Sequence, residues 1–336
     1  MSNRKVLFVF RKPNRGNYSI ERVYHTIFNR LKSKTDTGFD YKKMTLKHNY
    51  DFFCFLNYFL ASLFAKKYVV HITGGCNYMV MAFPLKKRIL TIHDLYHYRR
   101  FKGIKGAIYD LFYYKFPITF SHKIVVVSDN TKKELIQHFK NIEQKVVVIE
   151  NPLVIPKEKI SKRERFFSED QTMHILQIGD KPLKNYERLI EATKDLNTYY
   201  HFVHSQTKTI QHLIKQHGIE NRSEIYSNLN DEQLYQLYNR VDVLFFASEA
   251  EGFGLPLIEA QSFGVPIITS NIEPFKSIGK GSLFVNPQSV SEIKDAFRKL
   301  YGNDIVKNRI AEGKKNGKRF TLKEIIAKYD QLYAQV

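Results

Sequence analysis

The chain has 336 residues and a mass of 39.6 kDa, more than one compact core needs and enough for two. Hydrophobic residues make up 43% and charged residues 26%, which excludes a disordered or fibrous chain. The formal net charge of +20 lies almost wholly in residues 1–157, with 28 basic and 10 acidic side chains against 25 and 23 in 158–336. A uniformly cationic protein is therefore excluded. One half faces something anionic: nucleic acid, a membrane surface or a phosphorylated substrate.

Short β-branched or aromatic runs alternate with helical stretches, the pattern of a parallel sheet wrapped by helices. The first half predicts strands at Lys5–Phe10, Tyr41–Leu46, Tyr68–Thr73, Arg88–His93, Lys123–Ser128 and Lys145–Glu150. A helix over Ser19–Leu31 has Ser19 as its N-cap and Ile20, Val23, Ile27 and Leu31 on one face. Residues 152–172, with Pro152, Pro156 and a charged run, lack apolar periodicity and read as a linker. The alternation then restarts. Strands are predicted at Met173–Ile178, Tyr200–His204, Glu224–Ser227, Val241–Ala247, Pro266–Ser270 and Ser282–Val285, with an entirely helical tail beyond Asp304. Two doubly wound α/β domains place ligands at the carboxyl ends of strands, with the cleft between domains as the expected site.

Two cysteines, Cys54 and Cys76, cannot form a disulfide framework, and no Cys/His cluster points to a metal. The apolar run Val6–Phe10 is too short for a signal-peptide core, and Phe52–Ala65 is too short for a membrane span. These features predict a cytoplasmic protein.

The most informative stretch runs from Ser248 to Ala260, following an apolar strand and opening a helix. Gly252 and Gly254 allow close backbone approach and leave N–H groups free at a helix N-terminus, where an anion is favoured. Glu251 in the loop and Glu259 in the helix bracket that turn, and carboxylates suit the hydroxyls of a sugar or ribose.

This stretch, with Gly264-Val-Pro-Ile-Ile-Thr-Ser-Asn271, closely resembles the E-x7-E signature of family 4 glycosyltransferases. Ile178-Gly179 through Lys184-Asn185 and Leu189–Ala192 resemble the family's "G…RKN…LIEA" segment. Ile92-His93-Asp94-Leu95 resembles its "HDL", Val126–Lys132 its "VSxxTK", and Ile149–Pro152 its strand-to-linker "xNP". The resemblance implies a retaining, nucleotide-sugar-dependent enzyme of the GT-B fold. It implies two Rossmann-like domains: 1–155, which binds acceptor, and 172–318, which binds donor, with a helix over about 320–336 crossing back to the first.

By the same resemblance Glu259 holds the donor ribose. Glu251 and the backbone of Gly252, Phe253, Gly254 and Leu255 hold the donor sugar, and Lys184 holds the diphosphate, with Gly179 and Asn185 of the same segment also binding the donor. His93 lies beside the reacting sugar. Leu183 stands where the family often has Arg, so Lys181 is the candidate second cation, and the glycine-rich turn after the first strand is reduced to Gly16. Asp94, beside His93, and His71, at the end of the preceding strand, are acceptor-side candidates. No Asp-x-Asp occurs in a strand-end loop, so no metal and no cofactor is expected; charge on the leaving diphosphate falls to Lys, Arg and helix N-termini.

From Lys86 to Lys105 there are seven basic residues and one acid, Asp94, interleaved with and followed by aromatic residues. That composition suits an interfacial membrane helix or a nucleic-acid groove. No RRM-like, zinc-finger or recognition-helix pattern is present. The resemblance implies a nucleotide sugar and a glycan acceptor as partners. The basic half adds the expectation that the acceptor is carried on a polyprenyl diphosphate at the anionic cytoplasmic face of a membrane, in cell-surface polysaccharide or glycoconjugate synthesis. The alternatives are another GT-B enzyme (an epimerase or phosphorylase), a basic nucleic-acid-binding protein, or an inactive scaffold.

Overall fold

The computed structural model describes all residues except 1–3, 13–17, 35–37, 48–51, 65–67, 161–166, 180 and 204–206. The chain divides into two compact units, one of Met1–Pro152 with Leu322–Val336 and one of Leu153–Thr321.

In the first unit the strands are β1 (Arg4–Phe10), β2 (Phe39–Thr45), β3 (Val69–Ile72), β4 (Lys87–Ile92), β5 (Lys123–Val126) and β6 (Val146–Val148), all parallel in the order β2-β1-β3-β4-β5-β6. Val, Ile and Phe dominate them because both faces of a parallel sheet are covered. The helices are α1 (Tyr18–Lys32), α2 (Phe52–Phe64), α3 (Gly103–Asp110), α4 (Phe116–Phe120) and α5 (Asp129–His138), joined later by α13 (Leu322–Ala334). One wide π-helical turn, Leu111–Lys115, makes α3 and α4 a continuous rod. Ser128 caps α5 by accepting from the Thr131 amide at 3.1 Å. The helix starting at Tyr18 places Ser19 inside the first turn rather than at the cap.

The second unit contains β7 (Met173–Ile178), β8 (Thr198–Val203), β9 (Ser223–Tyr226), β10 (Val243–Phe246), β11 (Ile267–Ser270) and β12 (Leu283–Val285), parallel in the order β12-β11-β10-β7-β8-β9. Its helices are α6 (Tyr186–Thr193), α7 (Thr207–Gln216), α8 (Asp231–Arg240), α9 (Leu255–Ser262), α10 (Phe275–Ile278), α11 (Val290–Lys299) and α12 (Asn303–Gly317). Asn230 and Gln233 form a reciprocal capping box at the start of α8. Ile175, Tyr200, Phe202, Phe245 and Phe297 fill one face of the sheet, and Leu176, Leu244, Phe246 and Leu257 the other.

One expectation is corrected. The stretch expected as a linker belongs to the second unit from Leu153 onward. The Leu153 amide donates to the Phe320 carbonyl at 2.7 Å, the Asn239 amide to the Lys159 carbonyl at 2.8 Å, and Ile155 and Ile160 pack on the core. The helical tail is α12 and α13, with a 3-10 turn, Lys318–Phe320, between them. It breaks at extended Thr321, which pairs with Leu153, and the unit boundary falls at this break.

In each unit strand order reverses once, between β1 and β3 in the first and between β7 and β10 in the second. Loops leaving adjacent strands at such a point diverge and open space for a ligand.

Candidate active site

At the switch point of the second unit, Gly179 leaves β7 and a 3-10 turn, Pro182–Lys184, follows. Gly179 has φ +114°, and a Cβ there would lie 2.7 Å from the Lys184 Cε. The missing side chain is what lets the lysine stem lie back over the strand end. Lys184 forms an ion pair with Glu251 from the loop after β10, and its Nζ lies 4.4 Å from the centroid of the Phe246 ring. Both charges are largely shielded, with side chains 17% and 22% exposed. Lys181 in the same loop is exposed.

Asn185 is left-handed, at φ 63° and ψ 30°, and buried. Its Nδ2 donates to the carbonyls of Ala247 at 3.2 Å and Pro287 at 2.5 Å, and its Oδ1 accepts from Arg188 at 2.8 Å. The expectation that it contacts the donor is corrected. Its amide is spent on joining the loop after β7 to the ends of β10 and β12, so it positions the loop. The Glu249 amide donates to the Leu183 carbonyl at 2.9 Å and its carboxylate pairs with Arg188 at 2.9 Å, closing the two loops on each other.

Gly254, at φ +99°, is the N-cap of α9, with Pro256 in the first turn, where no amide hydrogen is needed. Leu255 is half-buried at the helix start. The Phe253 side chain is buried, edge-on to Phe320 with ring centroids 5.8 Å apart, so only its backbone is at hand for a ligand. Glu259 lies one turn further, 5% exposed, and the Tyr238 hydroxyl donates to its Oε2 at 3.0 Å. This bond fixes a buried carboxylate and comes from α8, an element the motif does not include.

In the first unit His93 follows β4. Its Nε2 bonds the Thr73 carbonyl at 2.9 Å, and a carbonyl only accepts, so Nε2 carries the proton. Burial pushes its pKa down, only partly opposed by the Thr73 carbonyl and Asp94. The ring is neutral at pH 7, with the Nδ1 lone pair as its acceptor. Gly74, at φ +97°, lies against this ring, and a Cβ there would come within 2.5 Å of His93 Cδ2. Asp94 is exposed and accepts from the Tyr96 amide at 3.0 Å. Gly16 lies outside the described residues.

His71 does not reach a ligand. It is fully buried, its Nδ1 2.7 Å from the Tyr333 hydroxyl and its Nε2 2.9 Å from the Thr91 hydroxyl. Tyr24 continues the chain by donating to Thr91 at 3.0 Å and meeting the Tyr329 hydroxyl at 3.0 Å. Nδ1 ties the ring to α13 and Nε2 ties it to β4, so neither nitrogen is left for a ligand, which corrects its assignment to the acceptor.

No motif marks the Arg11–Glu21 ion pair, which joins the end of β1 to the first turn of α1. Among the described residues, buried Glu21 Oε2, Gln177 Oε1 on β7 and Ser248 Oγ after β10 have no hydrogen-bond partner. A charge immediately after a strand facing another in the next helix's first turn was the available signal. Among the described residues no group of three or more His, Cys, Asp or Glu side chains converges on one point.

Residues 16–154 match the family model for Glycosyltransferase Family 4, and residues 157–317 the model for Glycosyl transferases group 1. An O-antigen chain mannosyltransferase, RfbU of Salmonella typhimurium, is 22% identical over 64% of this chain and 61% of its own length. The serotype-specific mannosyltransferase WbdA of Escherichia coli is 37% identical over 29% of this chain and 12% of its own. The chain thus spans less than two thirds of these relatives. Among solved structures, Anabaena HepE in complex with UDP and glucose superposes with a TM-score of 0.74 at 13% identity, over 99% of this chain and 100% of that one. The lipopolysaccharide outer core galactosyltransferase WaaB gives 0.69 at 16% identity, over 99% and 100%. With both of its units matched in order, and both built on six-stranded parallel sheets, the chain belongs to glycosyltransferase family 4 and has the GT-B fold.

Proposed function

We propose that the protein transfers a hexose, with retention of configuration, from a nucleotide-diphosphate sugar to a glycan acceptor carried on a lipid diphosphate. The Lys184–Glu251 pair beside the N-terminus of α9 carries this assignment. Diphosphate oxygens compete with Glu251 for Lys184, and the released carboxylate then accepts hydrogen bonds from sugar hydroxyls. Backbone N–H groups of Gly252–Leu255 add positive potential beside the leaving group. Glu259, oriented by Tyr238, takes the ribose hydroxyls. The neutral His93 ring accepts a hydroxyl hydrogen bond at Nδ1.

In the transfer the anomeric carbon's bond to the diphosphate oxygen breaks and a bond to the acceptor oxygen forms on the same face. The acceptor proton passes to the leaving phosphate. Charge grows on that phosphate, and preorganised cations and N–H groups stabilise it more than they stabilise the bound donor. Lys184 and Lys181 supply the cations, and no metal is assigned to the step.

Relatives named for O-antigen and serotype-specific mannosyl transfer support a cell-surface polysaccharide acceptor. Among the described residues no helix is long and apolar enough to cross a membrane. The lipid-carried acceptor is what places the enzyme, in this reading, peripherally at the cytoplasmic face. A thermal-shift series with UDP, GDP and ADP, then their sugars, tests the assignment. One nucleotide should stabilise the protein selectively, and incubating its sugar with acceptor should release the nucleoside diphosphate. No stabilisation by any of the three, with no release, would remove the assignment.

A further inference from the structure

The rod from Gly103 to Phe120 turns apolar side chains outward. Its inner face carries Gly106, Asp110, Tyr114 and Ile118, all buried. On its outer face Ile104, Ile108, Phe112 and Phe120 are 80%, 52%, 48% and 45% exposed. Spacings of four put the first three on one stripe, and Phe101 in the preceding turn is 50% exposed. A soluble chain rarely leaves such a stripe uncovered in use.

The surrounding charge has one sign. Arg99, Arg100, Lys102, Lys105 and Lys115 are all exposed. The one acid in this stretch, Asp110, is buried and accepts from the Arg99 amide at 3.1 Å. The Arg100 guanidinium lies 4.4 Å from the centroid of the Tyr96 ring, pairing a cation with a ring at the same edge.

We propose that this outer face docks the first unit on an anionic bilayer. The rod lies in the headgroup plane, Ile104, Ile108 and Phe112 enter the acyl boundary, and the lysines and arginines meet lipid phosphates. This rests on the lipid-linked acceptor proposed above and names the surface that would reach it. Charge complementarity selects the occupant. A second copy of the chain would set five cations against five. A nucleic acid could stack bases on Phe101 or Phe112 but would leave Ile104, the most exposed side chain of the stripe, and Ile108 without an apolar partner, whereas acyl chains cover all of them.

The test is cosedimentation of the full chain with vesicles of about 30% phosphatidylglycerol in phosphatidylcholine, against pure phosphatidylcholine, at low and high salt. Binding to the anionic vesicles should exceed the neutral control by about tenfold or more and fall at high salt. The double variants Ile104→Ser/Ile108→Ser and Lys102→Glu/Lys105→Glu should each weaken binding by about tenfold. Both should keep the wild-type melting temperature and the wild-type thermal response to nucleotide.

Absence of binding to anionic vesicles, or wild-type binding by both variants, would overturn the proposal. So would self-association in light scattering that the same variants abolish, or binding to a single-stranded RNA tighter than to the vesicles. Vesicle binding without donor consumption would sink the transferase assignment and still support the docking face, so the two fail separately.

Discussion

Lys184 and Glu251 meet as an ion pair across the switch point of the second unit, one from the loop after β7 and the other from the loop after β10. Each is mostly shielded from water, so each is the other's main compensation. A diphosphate sugar offers both a better partner at once, phosphate oxygens for the lysine and hydroxyls for the carboxylate.

Lys184→Met should lower kcat/KM by about 10²–10³ and also lower the melting temperature, because it strands a shielded carboxylate. Adding Glu251→Gln should recover stability but not activity. Melting curves and initial rates of the two single variants and the double variant check this, and a double variant no more stable than Lys184→Met would count against the pair.

Glu259→Gln keeps an oxygen for the Tyr238 hydroxyl and removes the charge. Nucleotide affinity should fall about tenfold, equivalent to about 1.4 kcal/mol, with little change in stability. Calorimetric titration with the nucleotide found in the thermal screen reads this directly.

Asn185→Ala removes two donors from the carbonyls of Ala247 and Pro287 and places a Cβ residue in the left-handed region. Stability should drop by about 2–4 kcal/mol, measured by urea denaturation. A neutral result would show that the loops are not riveted there.

Gly74→Ala would push the His93 ring away. Transfer should fall while the nucleotide-induced thermal shift stays at the wild-type value, since the donor contacts lie in the second unit. Joint loss of both would point to general unfolding instead.

Two histidines make stability depend on pH. Burial pushes His71 down to about 3 and His201 to about 3. Their folded values lie below the unfolded one, so the unfolded chain takes up protons first as pH falls. Their stabilising contribution is complete above about pH 6.5 and lost progressively below it. From pH 7.5 to 5.5 each should cost about 1.4 kcal/mol. His71→Gln should flatten that slope relative to wild type, and an unchanged slope would exclude His71 as a contributor.

The twelve strands among the described residues were legible because most are compact β-branched or aromatic runs, and Met173–Ile178 was bounded to the residue. The Glu251–Glu259 motif was legible for the same local reason, strand and turn and helix in one short stretch. What the sequence hid is set by partners remote along the chain. Ile155 and Ile160 look like isolated apolar residues among charges until α8 is beside them. Asn185 reads as a ligand contact until the carbonyls of Ala247 and Pro287 occupy its amide. His71 reads as a strand-end histidine until Tyr333, 262 positions away, supplies its hydrogen bond. Spacing alone contains none of these pairings.

The bonds from Tyr24 and His71 to α13 have a bearing on synthesis. His71 leaves the ribosome 262 residues before its partner Tyr333, and Tyr24 leaves 305 before Tyr329. At typical elongation rates that delay is about 13–60 s. Throughout it His71 and Tyr24 lack those partners, and the face that the rings of α13 will cover stays open. The second unit can complete its own core in the meantime. The first unit to emerge is therefore the last to be sealed.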